Sequence, residues 1–141
     1  MNYKFKVEEQ VRFRDTDAMG HVNNAVYLSY LELARMHYWF KVLGIKDYSQ
    51  IQFILARVEI DYKSPVKLGE KVVVGLKCTS VRGASFDFDC AIWAQAWNDK
   101  SKNNIRLVAI AKTVQVVYDY RKAKPMRMPD EYRTKIEAFE K

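Results

Sequence analysis

The sequence predicts an α+β protein in which an antiparallel sheet curls around one long helix. Three observations predict it. From Ala25 the chain keeps a helical pattern for about five turns without proline, and Gly44 supplies the stop. That helix is apolar on nearly every face: Ala25, Val26, Tyr27, Leu28, Tyr30, Leu31, Leu33, Ala34, Met36, Tyr38, Trp39, Phe40, Val42 and Leu43. A surface helix shows one stripe, so this composition predicts a helix buried most of the way round. After it come four strand-like runs joined by short turns, which make a meander.

Residues 3 to 14 alternate, with Tyr3, Phe5, Val7, Val11 and Phe13 on one face, as expected of a strand with one buried side. A polar turn follows, holding Asp15, Asp17, Gly20, His21, Asn23 and Asn24, and either asparagine suits the helix N-cap. Residues 46 to 49 read as loop. The second strand runs from Gln52 to Ser64, with Ile54, Ala56, Val58, Ile60 and Tyr62 in register, and Pro65 to Gly69 turns the chain. Glu70 to Val81 is the third strand, Arg82-Gly83-Ala84 a hairpin connection, and Ser85 to Trp97 the fourth strand. A hydrophilic loop over 97 to 104 leads to a fifth strand, Ile105 to Tyr118. The basic tail Arg121 to Arg127 then enters a short helix spanning about 129 to 140. No repeat or second composition breaks the chain, so residues 1–141 form a single domain.

The 141 residues are 49% hydrophobic and 29% charged, which is the balance of a folded soluble domain. No apolar run reaches membrane-span length and the first residues lack a signal-peptide core, so a cytoplasmic location is expected, with no membrane partner. Cys78 and Cys90 fall within strands without metal spacing and read as buried free thiols. No metal motif or Gly-rich phosphate loop is present, and no cofactor is expected. His37 falls inside the helix pattern, where packing explains it. The net charge of +7 suits an anionic partner. Nucleic acid ranks last, because the aromatics follow strand and helix periodicity rather than interleaving with a basic stripe. What remains is the polar turn, which gathers two carboxylates, an imidazole and two carboxamides at the start of a helix, where backbone N–H groups favour negative charge.

That turn resembles the D-x-D-x-x-G-H-V-N-N-x-x-Y-L signature of hotdog-fold acyl-CoA thioesterases, the group similar to 4-hydroxybenzoyl-CoA thioesterase. The match is Asp15, Asp17, Gly20, His21, Val22, Asn23, Asn24, Tyr27 and Leu28. Glu32-Leu33-Ala34-Arg35 resembles the family's helix continuation, Val58 to Tyr62 with Pro65 and Gly69-Glu70 its second strand and turn, and Ser85 after Arg82-Gly83 its next hairpin. The resemblance spans residues 5 to 120 and implies a hotdog fold, one central helix wrapped by a five- to six-stranded antiparallel sheet. It implies hydrolysis of a thioester to free acid and CoA, with Asp17 as nucleophile or general base. The backbone N–H near Asn24 would polarise the thioester oxygen. Gly20 would let the backbone turn beneath the substrate; His21, Asn23 and Asn24 would orient water or hydrogen-bond the pantetheine, or only cap the helix; and Tyr27, Arg82 and Ser85 would join the substrate contacts. Asp15 would fix the turn or pair with Arg12 or Arg14. Arg57, Lys63, Arg82 and the basic tail are candidates for the CoA phosphates. The resemblance also implies homodimers or homotetramers with shared sites. Two rivals stand beside this reading: an acyl-acyl carrier protein thioesterase, whose acidic carrier the positive charge would attract, and a non-catalytic acyl-CoA-binding protein, which would not need Asp17.

Overall fold

A computed structural model describes residues 2–50 and 52–141, apart from the side chains of Tyr48 and Lys102. The elements are β1 (Phe5–Gln10), α1 (Val26–Val42), β2 (Phe53–Tyr62), β3 (Glu70–Val81), β4 (Ser85–Ala96), β5 (Arg106–Asp119), β6 (Lys124–Pro125) and α2 (Asp130–Glu140). All strand pairs are antiparallel, in the order β1-β3-β4-β5-β2, with the short β6 on β5. This is the expected α+β hotdog arrangement.

The valine-rich β3 and the phenylalanines of β4 turn their side chains onto α1. Tyr38 packs edge-on against Phe88 at 4.8 Å between centroids, and Trp39 lies 4.6 Å from Phe53. Such aromatic pairs add about 0.5–1.5 kcal/mol each beyond the area they bury. At the helix C-terminus Gly44 takes φ +70°, and Lys135 Nζ of α2 donates to the Leu43 carbonyl at 3.1 Å. Cys78 and Cys90 are buried free thiols, and burial pushes both up to about 12. No described helix is long and apolar enough to cross a membrane.

Four expectations are corrected. The helix α1 buries one face, through Tyr27, Tyr30, Leu31, Ala34, Arg35, Tyr38 and Trp39, while Leu28 stays exposed, because the sheet of one chain covers only one side. His37 is not packed: it is exposed on the flank towards β1, 3.9 Å from the Glu9 carboxylate. The first strand ends at Gln10 and Phe13 is 80% exposed, because Asp15 captures the Arg12 N–H and curls residues 13–15 into a 3-10 turn. In β2 a bulge between Leu55 and Arg57 breaks the expected row, and Ala56 and Tyr62 are exposed.

Candidate active site

The polar turn between β1 and α1 is built from the buried Asp15 outward. Asp15 Oδ2 accepts from the Arg12 N–H (2.9 Å) and the Tyr30 hydroxyl (2.9 Å), Oδ1 accepts from Arg12 Nη2 (3.0 Å), and its carbonyl accepts from Asn23 N–H (2.9 Å). Of the two arginines the sequence offered, Arg12 is the partner. Burial pushes the Asp15 carboxyl up, but the hydrogen bonds from Arg12 and Tyr30 together outweigh it and hold it below the usual carboxylate range. Because the folded pKa lies below the unfolded value of about 3.9, this stabilisation is complete above about pH 5 and is lost as pH falls through the folded pKa. Asp15→Asn is expected to cost about 2–3 kcal/mol in denaturant titrations near neutral pH, since it leaves buried donors without a charged acceptor. The same variant should flatten the acid-side loss of stability, so an unchanged slope below about pH 5 would remove Asp15 as its source.

The turn itself closes through Asp17. Its N–H donates to the His21 carbonyl (2.7 Å), and Gly20, at φ +79°, donates back to the Asp17 carbonyl (3.1 Å), a conformation that glycine adopts without a Cβ penalty. Asp17 Oδ1 accepts from the N–H groups of Met19 (2.8 Å) and His21 (3.2 Å). Among the described residues Oδ2 has no partner, and the side chain is exposed. One carboxylate oxygen is thus fixed by the backbone while the other faces outward.

The helix start follows directly. Asn23 Oδ1 accepts from Ala25 N–H (3.0 Å), and Val26 N–H donates to the Asn23 carbonyl (2.9 Å). Regular helix begins at Val26, with Ala25 as its uncapped boundary residue, so the side-chain cap comes from Asn23 one short turn earlier. Among the described residues the Asn24 N–H has no acceptor, while the Asn24 carbonyl accepts from the Tyr62 hydroxyl at 2.9 Å. On the other side, Val22 N–H donates to the Val66 carbonyl (2.8 Å) and His21 bridges to Lys67. The 64–70 loop beneath is held by Arg106, which grips both Glu70 carboxylate oxygens (2.6 and 2.9 Å) and reaches Ser64 Oγ and the Pro65 carbonyl. An open cavity of about 480 Å³ lies against this loop.

Asp17, Gly20, His21, Asn23 and Asn24 therefore come together. Tyr27 is buried beneath them, its ring 5.0 Å from that of Tyr62. Arg82 and Ser85 do not join: they lie at the far end of β3, about 40 Å of extended strand from Glu70. There Arg82 binds both oxygens of Asp87 (2.5 and 3.0 Å) and the Ser85 hydroxyl (3.0 Å). Arg57 is tied to Glu59. Sequence reading missed Tyr30, Tyr62 and Arg106, whose roles depend on partners distant along the chain.

A buried core, a polar turn feeding a helix N-terminus and an antiparallel sheet wrapped over that helix define the hotdog class. The chain belongs to the thioesterase-like superfamily, whose family model matches residues 11–136. It is 28% identical over 131 residues to the acyl-CoA thioesterase YbgC of Haemophilus influenzae, covering 90% of each chain. It is 31% identical over 138 residues to the chloroplastic acyl-acyl carrier protein thioesterase ATL3 of Arabidopsis thaliana, covering 95% of this chain and 68% of that one. The crystal structure of a thioesterase from Thermus thermophilus, complexed with coenzyme A and Zn, superposes with a TM-score of 0.84 at 34% identity, covering 99% of this chain and 97% of that one.

Proposed function

We propose that the protein is a thioester hydrolase acting on acyl-CoA: water adds across the thioester, the acyl carbon takes the oxygen as free acid, and CoA leaves as the thiol. The observation that carries this reading is the Asp17 carboxylate, anchored through one oxygen and, among the described residues, open through the other, in the same turn as an Asn24 N–H that has no acceptor among them. Asp17 acts as nucleophile or general base, and the Asn24 N–H binds the oxygen that becomes negative in the transition state. His21 and Asn23 set the shape of the turn and border the substrate. The activity of YbgC and the coenzyme A held by the Thermus thermophilus structure support CoA as the thiol carrier. Release of thiol from a panel of short, long and aromatic acyl-CoAs tests it, and no release from any member would reject it. The likeness to ATL3 together with the net charge of +7 favours a second carrier, acyl carrier protein, to be run beside the CoA panel.

The working form is a homo-oligomer. Strand β2 ends the sheet, paired on one side only, with Leu55 at 44% and Tyr62 at 43% exposure. A bare edge of this kind invites pairing. A second copy joined antiparallel along β2 buries these side chains and brings its own hairpin end, with Arg82 and Ser85, towards the turn of the first. Activity per chain is expected to fall on dilution in step with dissociation seen by sedimentation. A fully active monomer would sink the shared site.

A further inference from the structure

Helix α1 and strand β2 run side by side in opposite directions. Ring contacts bridge them at both ends, Tyr27 to Tyr62 at 5.0 Å and Trp39 to Phe53 at 4.6 Å. At the Asn24 end the Tyr62 hydroxyl donates to the Asn24 carbonyl. The groove between helix and strand holds, towards the other end, a cavity of about 290 Å³ lined by Glu32, Arg35, Trp39, Phe53, Leu55 and Gln115. Apolar walls suit a hydrocarbon chain. The floor does not: Arg35 is only 7% exposed, and among the described residues its guanidinium has neither a hydrogen bond nor an ion pair. Gln115 beside it is fully engaged, accepting from the Thr113 hydroxyl and donating to the carbonyls of Phe86 and Thr113. Glu32, one turn away, lines the same cavity and its negative charge acts on Arg35 from beyond ion-pair distance, with its own carboxylate exposed. Arginine does not shed its proton, so a buried guanidinium calls for an anion.

We propose that the acyl group lies in this groove and that Arg35 is a specificity-determining residue, pairing with a carboxylate at the far end of the chain. The substrates so selected are CoA thioesters of dicarboxylic acids. This rests on the thioesterase reading above. A carboxylate matches the guanidinium fork with two parallel hydrogen bonds, whereas a methyl end would leave the cation unpaired among apolar side chains. The length follows from the helix. Arg35 lies about 16 Å along the axis from Asn24 at 1.5 Å per residue, and its side chain leans back towards the N-terminus by roughly 5 Å. The remaining span of about 10 Å is bridged by roughly eight bonds at about 1.2 Å each in an extended chain.

Matched thioesters that differ only at the far end test this: suberoyl-CoA and octanoyl-CoA, with wild type, Arg35→Met, Arg35→Lys and Glu32→Gln, after thermal melts show each variant folded. Wild type is expected to favour suberoyl-CoA by about 10²-fold in kcat/KM. Arg35→Met should lose that preference, falling on suberoyl-CoA and rising on octanoyl-CoA, and Arg35→Lys should recover part of it. Equal cleavage of the two esters by wild type overturns the proposal and leaves the thioesterase reading intact. If neither ester is cleaved, the acyl-CoA panel above decides the thioesterase reading, and calorimetry with the same two esters decides the proposal: tighter binding of suberoyl-CoA, lost in Arg35→Met, upholds it, and equal affinities overturn it. If the missing anion is Glu32 of a second copy, Arg35→Met and Glu32→Gln will both loosen the oligomer in sedimentation and change the two esters alike, which also overturns it.

Discussion

Asp17→Asn is expected to lower kcat by about 10²–10⁴ while leaving KM and the fold nearly unchanged, the range for loss of a positioned acid–base group. The geometry makes this a clean substitution. Asparagine keeps an oxygen to accept from the Met19 and His21 N–H groups, so the turn retains its closing hydrogen bonds. What it loses is the outward oxygen, replaced by an amide nitrogen that is neither basic nor nucleophilic. Asp17→Ala would remove the turn's anchor as well and would mix a structural loss with a chemical one. Steady-state kinetics on the best thioester of the panel, with the thermal midpoint measured in parallel, check the result. A fall in kcat of less than about tenfold, roughly 1.4 kcal/mol of barrier, would exclude Asp17 as the catalytic group.

The parts of this molecule that were legible in the sequence are those decided by neighbours along the chain. The bounds of β3 agree with the sequence reading because a valine-rich run lies between Gly69 and the Arg82-Gly83 turn, and Gly44 stops α1 because a left-handed position there suits glycine. The cluster from Asp17 to Asn24 was legible for the same reason, since the hydrogen bonds accepted by the Asp17 and Asn23 side chains span at most four residues. Where a distant partner decides, sequence reading failed. Phe13 fits an alternating strand, but Asp15, fixed by Tyr30 from α1, holds Arg12 and turns the chain away. Tyr62 looked like one more member of a strand row, until the fold set its hydroxyl on the Asn24 carbonyl. Arg35 is the sharpest case. Nothing in Glu32-Leu33-Ala34-Arg35 tells which charge stays on the rim and which is buried. Only the position of β2 beside the helix does so.

Asn24→Pro is expected to lower kcat by about 10²–10³, the range for a lost oxyanion-hole donor, with Asn24→Ala losing much less. The donor in question is a backbone N–H, so no side-chain deletion removes it, whereas proline does. The position tolerates proline on three counts. The Asn24 N–H has no acceptor among the described residues, so no internal hydrogen bond is broken. Asn24 is the second residue of the turn closed by the Val26 N–H on the Asn23 carbonyl, a position that proline's fixed φ suits. The capping hydrogen bond runs from Asn23 Oδ1 to Ala25 N–H and the Tyr62 contact uses the Asn24 carbonyl, and proline retains both. Asn24→Ala keeps the N–H and loses only the carboxamide, which isolates the backbone donor. Circular dichroism and thermal melts establish that both variants are folded before kinetics are compared. Equal activity in the two variants would move the oxyanion donor elsewhere, and equally large losses would assign the role to the Asn24 side chain.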